Sequence, residues 1–288
     1  MPAVSRRQHE HRERTARRLT AVLDGDLLSD ELADVARYYR AKADKDLGRT
    51  TASLEGMQQV AAAGGRLAPQ AQRGIANLAR IAGDFPAALA AASTLTWKSR
   101  RHRVRGDILW PQGDFTAATQ ALRDGRAEAE QHDAPGERAI AQTRLALVTA
   151  FTNPARANEE ITLARQYLEP LDQRATALLL QVAALIRDAG TDDRELTERA
   201  TVLRTRIDVV GLPWLIPLLE TALAEGSSGE ADPGSARAAR RTRSRVGVAG
   251  GVGIPGTSPR IPYTDEVSRS GPVGPPSWMK ARPGTPAR

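Results

Sequence analysis

Apolar positions recur along most of this chain at steps of three and four, the spacing that places them on one face of a helix. Leu28, Leu32, Val35, Ala36 and Tyr39 form the first such series, and Ser29 stands where a helix start needs a cap. Ile140, Leu145 and Val148 mark a helix around 139–151. Leu178, Leu179, Val182, Leu185 and Ile186 mark another around 174–189, and Leu196, Ala200, Leu203, Ile207 and Val210 make the last clear one. No stretch alternates apolar and polar residues for long enough to build a strand, so the pattern predicts an all-α protein.

Two breaks between these helices are written almost identically. Gly83 to Ala92 reads GDFPAALAAA, and Gly113 to Leu122, thirty residues on, reads GDFTAATQAL. Pro86 lies just inside a helix start, where its missing N–H does no harm. Gly106 precedes the second turn with a small residue, Ala88 and Ala118 follow the two turns at matching places, and Leu122 lies one helical turn beyond Ala118. A helix–turn–helix unit cannot bury its apolar face alone, so such units stack on their neighbours into a solenoid.

This pattern resembles the tetratricopeptide repeat. The family's small residue in the first helix matches Gly106, its turn matches Gly113-Asp114-Phe115, and its small residue in the second helix matches Ala118. Ala76, Gly83-Asp84-Phe85 and Ala88 give a second match. A weaker third copy runs through Asn153-Pro154, Ala157, Ile161 and Ala164, and a fourth turn falls at Gly190-Thr191-Asp192. The resemblance covers roughly 68–210. The steps between turns of 30, 39 and 38 residues depart from the family's period of about 34, and Pro111 is expected to shorten a first helix that the family keeps longer. The body is also similar to the helical-repeat regions of large actinobacterial regulators, where such repeats follow a nucleotide-binding switch domain; GLPWLIPLLETALA at 211–224 has that character. No Gly-x-x-x-x-Gly-Lys-Ser/Thr phosphate loop occurs, so that resemblance implies a sensor portion without its ATPase.

Composition sharpens this. Hydrophobic residues make up 41% of the 288 and aromatics only 4%, with Ala and Leu abundant, which favours helices. There is no Cys, which excludes disulfides and thiolate metal sites and suits a reducing compartment. The net charge of +7 belongs to the ends. Residues 1–20 hold six Arg against two Glu, and 226–288 hold ten Lys or Arg against four acids, while 21–225 carry 25 basic and 28 acidic residues. Three parts follow: a basic, poorly ordered segment at 1–20, a helical-repeat domain at 21–225 and a Gly/Pro/Arg-rich tail at 226–288, too poor in apolar residues to fold. No apolar run approaches the roughly 18 residues that a membrane helix needs, and the N-terminus is no secretory signal, so no membrane partner and a cytoplasmic location are expected.

The tetratricopeptide geometry implies a concave face lined by first helices. It assigns Gln70, Arg73, Asn77 and Arg80 to that face from one repeat, and Arg100, Arg103, Asp107 and Trp110 from the next. Such a groove is cationic with one aromatic, suits an acidic or carboxylate-ended peptide, and predicts that Arg73 and Arg103 are exposed. Arg73 and Asn77 resemble half of the family's carboxylate clamp, but Val104 stands where the next repeat needs Asn. A solvated face without a ligand is the plainer alternative. WKSRRHRVR at 97–105 puts Lys98, Arg101, His102 and Arg105 on one stripe, which suits phosphates or a solvated surface. In the tail, Arg237, Arg240, Arg241, Arg243 and Arg245 offer nucleic acid a second, sequence-independent contact, while Gly251-Val252-Gly253-Ile254-Pro255-Gly256 lacks the strand and helix that a dinucleotide fingerprint needs. Four scattered His (His9, His11, His102 and His132) make no metal site, and no nucleophile with its base can be assembled. The sequence therefore predicts a protein- or peptide-binding module, with no enzyme activity, cofactor or metal. A nucleic-acid-associated protein acting through its basic ends and a fragment of a switch regulator are the alternatives.

Overall fold

The structure is a computed structural model that describes residues 3–25, 27–189 and 195–227. These residues form twelve α-helices and, among them, no strand: α1 (Ala3–Asp24), α2 (Asp30–Asp46), α3 (Thr50–Ala62), α4 (Ala68–Ile81), α5 (Phe85–Ser93), α6 (Arg101–Gln112), α7 (Phe115–Gln131), α8 (Pro135–Thr152), α9 (Pro154–Leu168), α10 (Arg174–Asp188), α11 (Glu195–Val210) and α12 (Ile216–Ser227). Short 3-10 turns precede α6 and α12. The fold is all-α, as the spacing predicts.

The two written-alike turns have the same geometry. Gly83 and Gly113 adopt φ of 80° and 92°, a region that costs a residue with a Cβ. After each, the Asp side chain accepts a hydrogen bond from the backbone three residues on, Ala87 N–H to Asp84 and Ala117 N–H to Asp114, both at 3.0 Å. Before each, two backbone bonds close the preceding helix: Asp84 N–H to Ala79 O (3.0 Å) with Gly83 N–H to Arg80 O (3.0 Å), and Asp114 N–H to Leu109 O (3.1 Å) with Gly113 N–H to Trp110 O (3.0 Å). The same helix ending recurs where the sequence did not advertise it. Gly48 (φ 77°) closes α2, 35 residues before Gly83, and adds a hairpin of α2 and α3 ahead of the two clear ones. Asp133 (φ 46°) closes α7, with Ala134 N–H on Ala129 O at 2.9 Å. The third turn is simpler: the Asn153 side chain caps α9 by accepting from Arg156 N–H at 3.1 Å. The expected fourth turn at 190–192 lies outside the described residues.

Each helix packs on the next along the chain, because connections of a few residues return it to its neighbour. The even-numbered helices α4, α6, α8, α10 and α12 also touch one another in series, while α5, α7, α9 and α11 each pack on the two even helices that flank them. The result is two rows of helices, with one departure from neighbour-only packing: α1 also reaches α11. Small residues set the closest approaches. A Cβ on Gly106 would lie 2.6 Å from the Leu122 side chain, so Leu122 packs where only Gly leaves room. Ala76, Ala88 and Ala118 are wholly buried at their matching places.

The core confirms most of the apolar series and shifts one. Leu196, Ala200, Leu203 and Ile207 turn inward, but Val210 is exposed. On α2 the buried residues are Ala33, Ala36, Tyr38 and Ala41, while Leu32 and Tyr39 face outward. Small alanines let α2 lie close to α3, where Ser53 donates to Ala41 O at 2.7 Å, and that contact fixes the face. Ser29 does precede α2, but its backbone carbonyl, not its hydroxyl, makes the contact, accepting from Ala33 N–H at 2.8 Å. Pro111 does not shorten α6. It lies in the last turn, and the helix is limited at its start by Arg100, whose left-handed backbone (φ 61°) separates it from the 3-10 turn.

The ends also differ from expectation. Residues 3–20 of the expected N-terminal segment lie in a 22-residue helix that crosses the expected boundary at 20. Arg49 holds Glu13 at 2.7 Å, Arg12 lies 3.5 Å from Asp46, and Ala16 is buried, so α1 docks by its charges as much as by apolar area. At the other end α12 continues to Ser227, and the tail beyond it, with its arginine cluster and Gly-rich stretch, lies outside the described residues. Among the described residues no helix is long and apolar enough to cross a membrane.

Candidate functional site

Of the eight residues assigned to a concave face, Gln70, Arg73, Asn77 and Arg80 lie on α4, Arg100 immediately precedes α6, and Arg103, Asp107 and Trp110 lie on α6. Their exposure differs from expectation. Arg73, Asn77, Arg103 and Asp107 are buried, Arg103 to 4% exposure, and Gln70, Arg80, Arg100 and Trp110 are half-buried. The expectation of exposed Arg73 and Arg103 is therefore overturned: the face is filled by its own charges.

Those charges form a seam across successive hairpins. Arg103 donates through Nε to Glu137 of α8 and lies 3.3 Å from Asp107 through Nη1. Asp107 in turn accepts from Arg144 Nε at 2.6 Å, and Arg100 Nε lies 3.3 Å from the second oxygen of Glu137. Arg73 of α4 adds its field to both Arg100 and Glu137. Burial alone would raise the pKa of the Glu137 carboxyl. The guanidiniums of Arg103 and Arg100 outweigh burial and hold it below the ordinary carboxylate range. For Arg144 and Arg100, burial is the largest influence and lowers the guanidinium pKa.

Glu137 lies 34 residues from Arg103, and Arg144 lies 37 from Asp107. Both separations are about the length of one helical hairpin, so the ion pairs join neighbouring hairpins. Opposite charges one repeat apart are a sequence signal that reading each helix by itself misses. Glu137 and Arg144 are the seam residues that such a reading left out.

At the mouth of the seam Arg100 is held on three sides. Its left-handed backbone is anchored by its N–H on Trp97 O at 2.8 Å. Its guanidinium lies 4.2 Å from the Trp97 ring centre, and Trp97 stacks on His132 at 4.4 Å and 10°. Such a strained residue persists only where its surroundings over-determine it. Arg80 donates to Asn77 at 3.3 Å, and the Gln70 side-chain oxygen is buried with no hydrogen-bond partner among the described residues. Trp110 is not part of this mouth. It stacks on Phe151 at 6.3 Å and closes the apolar core.

On the far side of α6, Lys98, Arg101 and Arg105 are exposed as the stripe predicts, while His102 is half-buried 3.9 Å from Asp124. No group of three or more His, Cys, Asp or Glu among the described residues is arranged to hold a metal ion.

Comparison with known protein families finds no model that matches this chain, and comparisons with curated proteins and with solved structures find no match either.

Proposed function

We propose that the chain is a tetratricopeptide-like interaction module that holds an acidic segment of a partner protein against the inner row of helices, at Arg100 and Trp97, with Gln70 and Arg80 of α4 on the same row. The observation that carries this reading is the setting of Arg100. It is half-buried, its Nε lies 3.3 Å from Glu137 and its guanidinium 4.2 Å from the Trp97 ring centre, with Glu128 of α7 acting on it from further away. A carboxylate from outside meets Arg100 on its exposed side, where a guanidinium already flattened on an indole is oriented for a bidentate contact. The repeated capped hairpins supply the rigid frame that such recognition needs.

The test is a nuclease-treated capture from source lysate with the full chain and with Arg80→Glu combined with Arg100→Gln. These two sites are chosen because Arg73 and Arg103 are structural. A discrete protein retained by the parent and lost by the double variant, with helical content unchanged, supports the reading. Capture that survives the double change removes the inner face as the site. Capture that nuclease abolishes moves function to the exposed stripe of Lys98, Arg101 and Arg105 or to the tail.

A further inference from the structure

A second surface, on α11, carries a different pattern. Its inward face is Leu196, Ala200, Leu203 and Ile207. Its outward face is Glu195, Glu198, Val202, Arg206 and Val209, which helical spacing gathers into one stripe, while Arg199 beside it is turned to Asp188 Oδ2 of α10 at 2.7 Å. Val202 is 47% exposed and Val209 73%, large fractions for valines at the centre and end of a charged stripe. Beside the stripe two adjoining hollows of about 610 and 470 Å³ run between α11, α10 and α9. Gln181 and Ala184 of α10 line both, and Arg206 Nη1 reaches Gln181 Oε1 at 3.4 Å, which places its guanidinium over the hollow.

We infer that this face pairs with the same face of a second copy, α11 against α11, antiparallel about a two-fold axis at Val202. The charge order selects that occupant. Glu198 stands four residues before Val202, and Arg206 stands four after it. Turning a second helix end for end about Val202 sets each Glu198 against Arg206 of the other copy, and sets the two Val202 side chains against each other. Glu195 lies one turn further out and reaches the same guanidinium. A two-fold contact must be complementary to itself, and this stripe is so in the antiparallel sense alone. A parallel copy would set Glu on Glu and Arg on Arg. A partner of one charge sign would be repelled at one end of the stripe. The exposed ion pairs fix orientation more than strength, which rests on the valines and on filling the hollows beside them. The inference does not depend on the inner-face reading, because the two surfaces share no residue.

Sedimentation velocity of the full chain over a concentration series from about 1 to 200 µM, a range that brackets micromolar association, tests this. The expected result is a reversible monomer–dimer equilibrium. Val202→Glu is expected to weaken it at least about tenfold, since it buries two like charges at the axis. Glu198→Arg and Arg206→Glu each weaken it about tenfold, and the double variant carrying both restores it, because exchange of the two charges preserves the pairing. All three sites are exposed, so melting at low concentration is expected to match the parent and excludes misfolding as the cause. A chain that stays monomeric throughout overturns the inference and leaves the face to residues 228–288 or to another protein. A dimer indifferent to Val202→Glu, or a double variant no better than the singles, also overturns it. Lysate capture that survives Arg80→Glu with Arg100→Gln while dimerisation stays intact would sink the inner-face reading alone.

Discussion

Helices α6 and α11 both carry arginines and acids at helical spacing, yet Arg103 and Asp107 of one lie inside the protein and Glu198 and Arg206 of the other lie outside. On α6, Arg103 and Asp107 are four apart and buried; on α11, Glu198 and Arg206 flank a half-exposed valine. The difference lies in what stands one repeat away. Arg103 and Asp107 meet Glu137 and Arg144 of α8, whereas α11, among the described residues, is met beyond α10, α12 and the segment leading into α12 by α1 and not by a further hairpin. A charge stripe on stacked helical hairpins is thus internal where the next hairpin complements it and outward-facing where none of the described hairpins does.

The largest effect expected from breaking this contrast is at Arg103. Arg103→Ala strands Glu137 in the interior with a weaker set of cations, and removal of one partner from a buried pair costs about 3–5 kcal/mol. Urea unfolding should show that loss. Arg103→Met with Glu137→Leu should recover most of it, since buried ion pairs are commonly replaced by apolar residues of similar volume at little cost. If Arg103→Ala melts like the parent, the seam is solvated and the contrast with α11 disappears.

Much of this was legible in the chain itself, and what was not legible has a common cause. Helical periodicity located the helices, and the Gly-Asp-Phe pair located two turns, because local backbone energetics set both. The Asp133 and Gly48 turns were hidden because the same left-handed ending tolerates Asp, or a Gly with no aromatic after it. The choice of Tyr38 over Tyr39 for burial on α2, and the burial of Arg73 and Arg103, are decided by which neighbour approaches, and no single helix encodes that. The exposure of Arg73 and Arg103, assigned to a concave face, was misjudged for this reason.

Acid gives a second and smaller separation of the two regions. The Glu137 carboxyl is held below its ordinary range in the folded protein despite burial, because Arg103 and Arg100 favour its charged form. The unfolded chain therefore binds that proton more readily. The stabilisation is fully present above the unfolded pKa, near 4.3, and is lost as pH falls through the lower folded value. Chemical denaturation from pH 6 downward should show stability falling below about pH 4, and Glu137→Gln should be less stable at neutral pH but less sensitive to acid. An unchanged slope in the Gln variant would mean that other carboxylates carry the acid response.

The smallest effect belongs to α11 itself. Glu198→Ala and Arg206→Ala each remove an exposed charge from a helix whose anchoring residues, Leu196, Leu203 and Ile207, are untouched. At low micromolar concentration or below, each should leave the melting temperature within about 0.5 kcal/mol equivalent of the parent, the usual range for surface substitutions. Concentration makes this informative. If α11 pairs with a second copy, the parent gains stability by mass action as concentration rises, and the single variants gain less. A thermal series at rising concentration should therefore begin with parent and variants together and end with the parent ahead. Curves that stay superimposed would show that α11 is bare surface in solution. A gap already present at the lowest concentration would show that its charges act within one copy, and α11 would then belong with α6 after all.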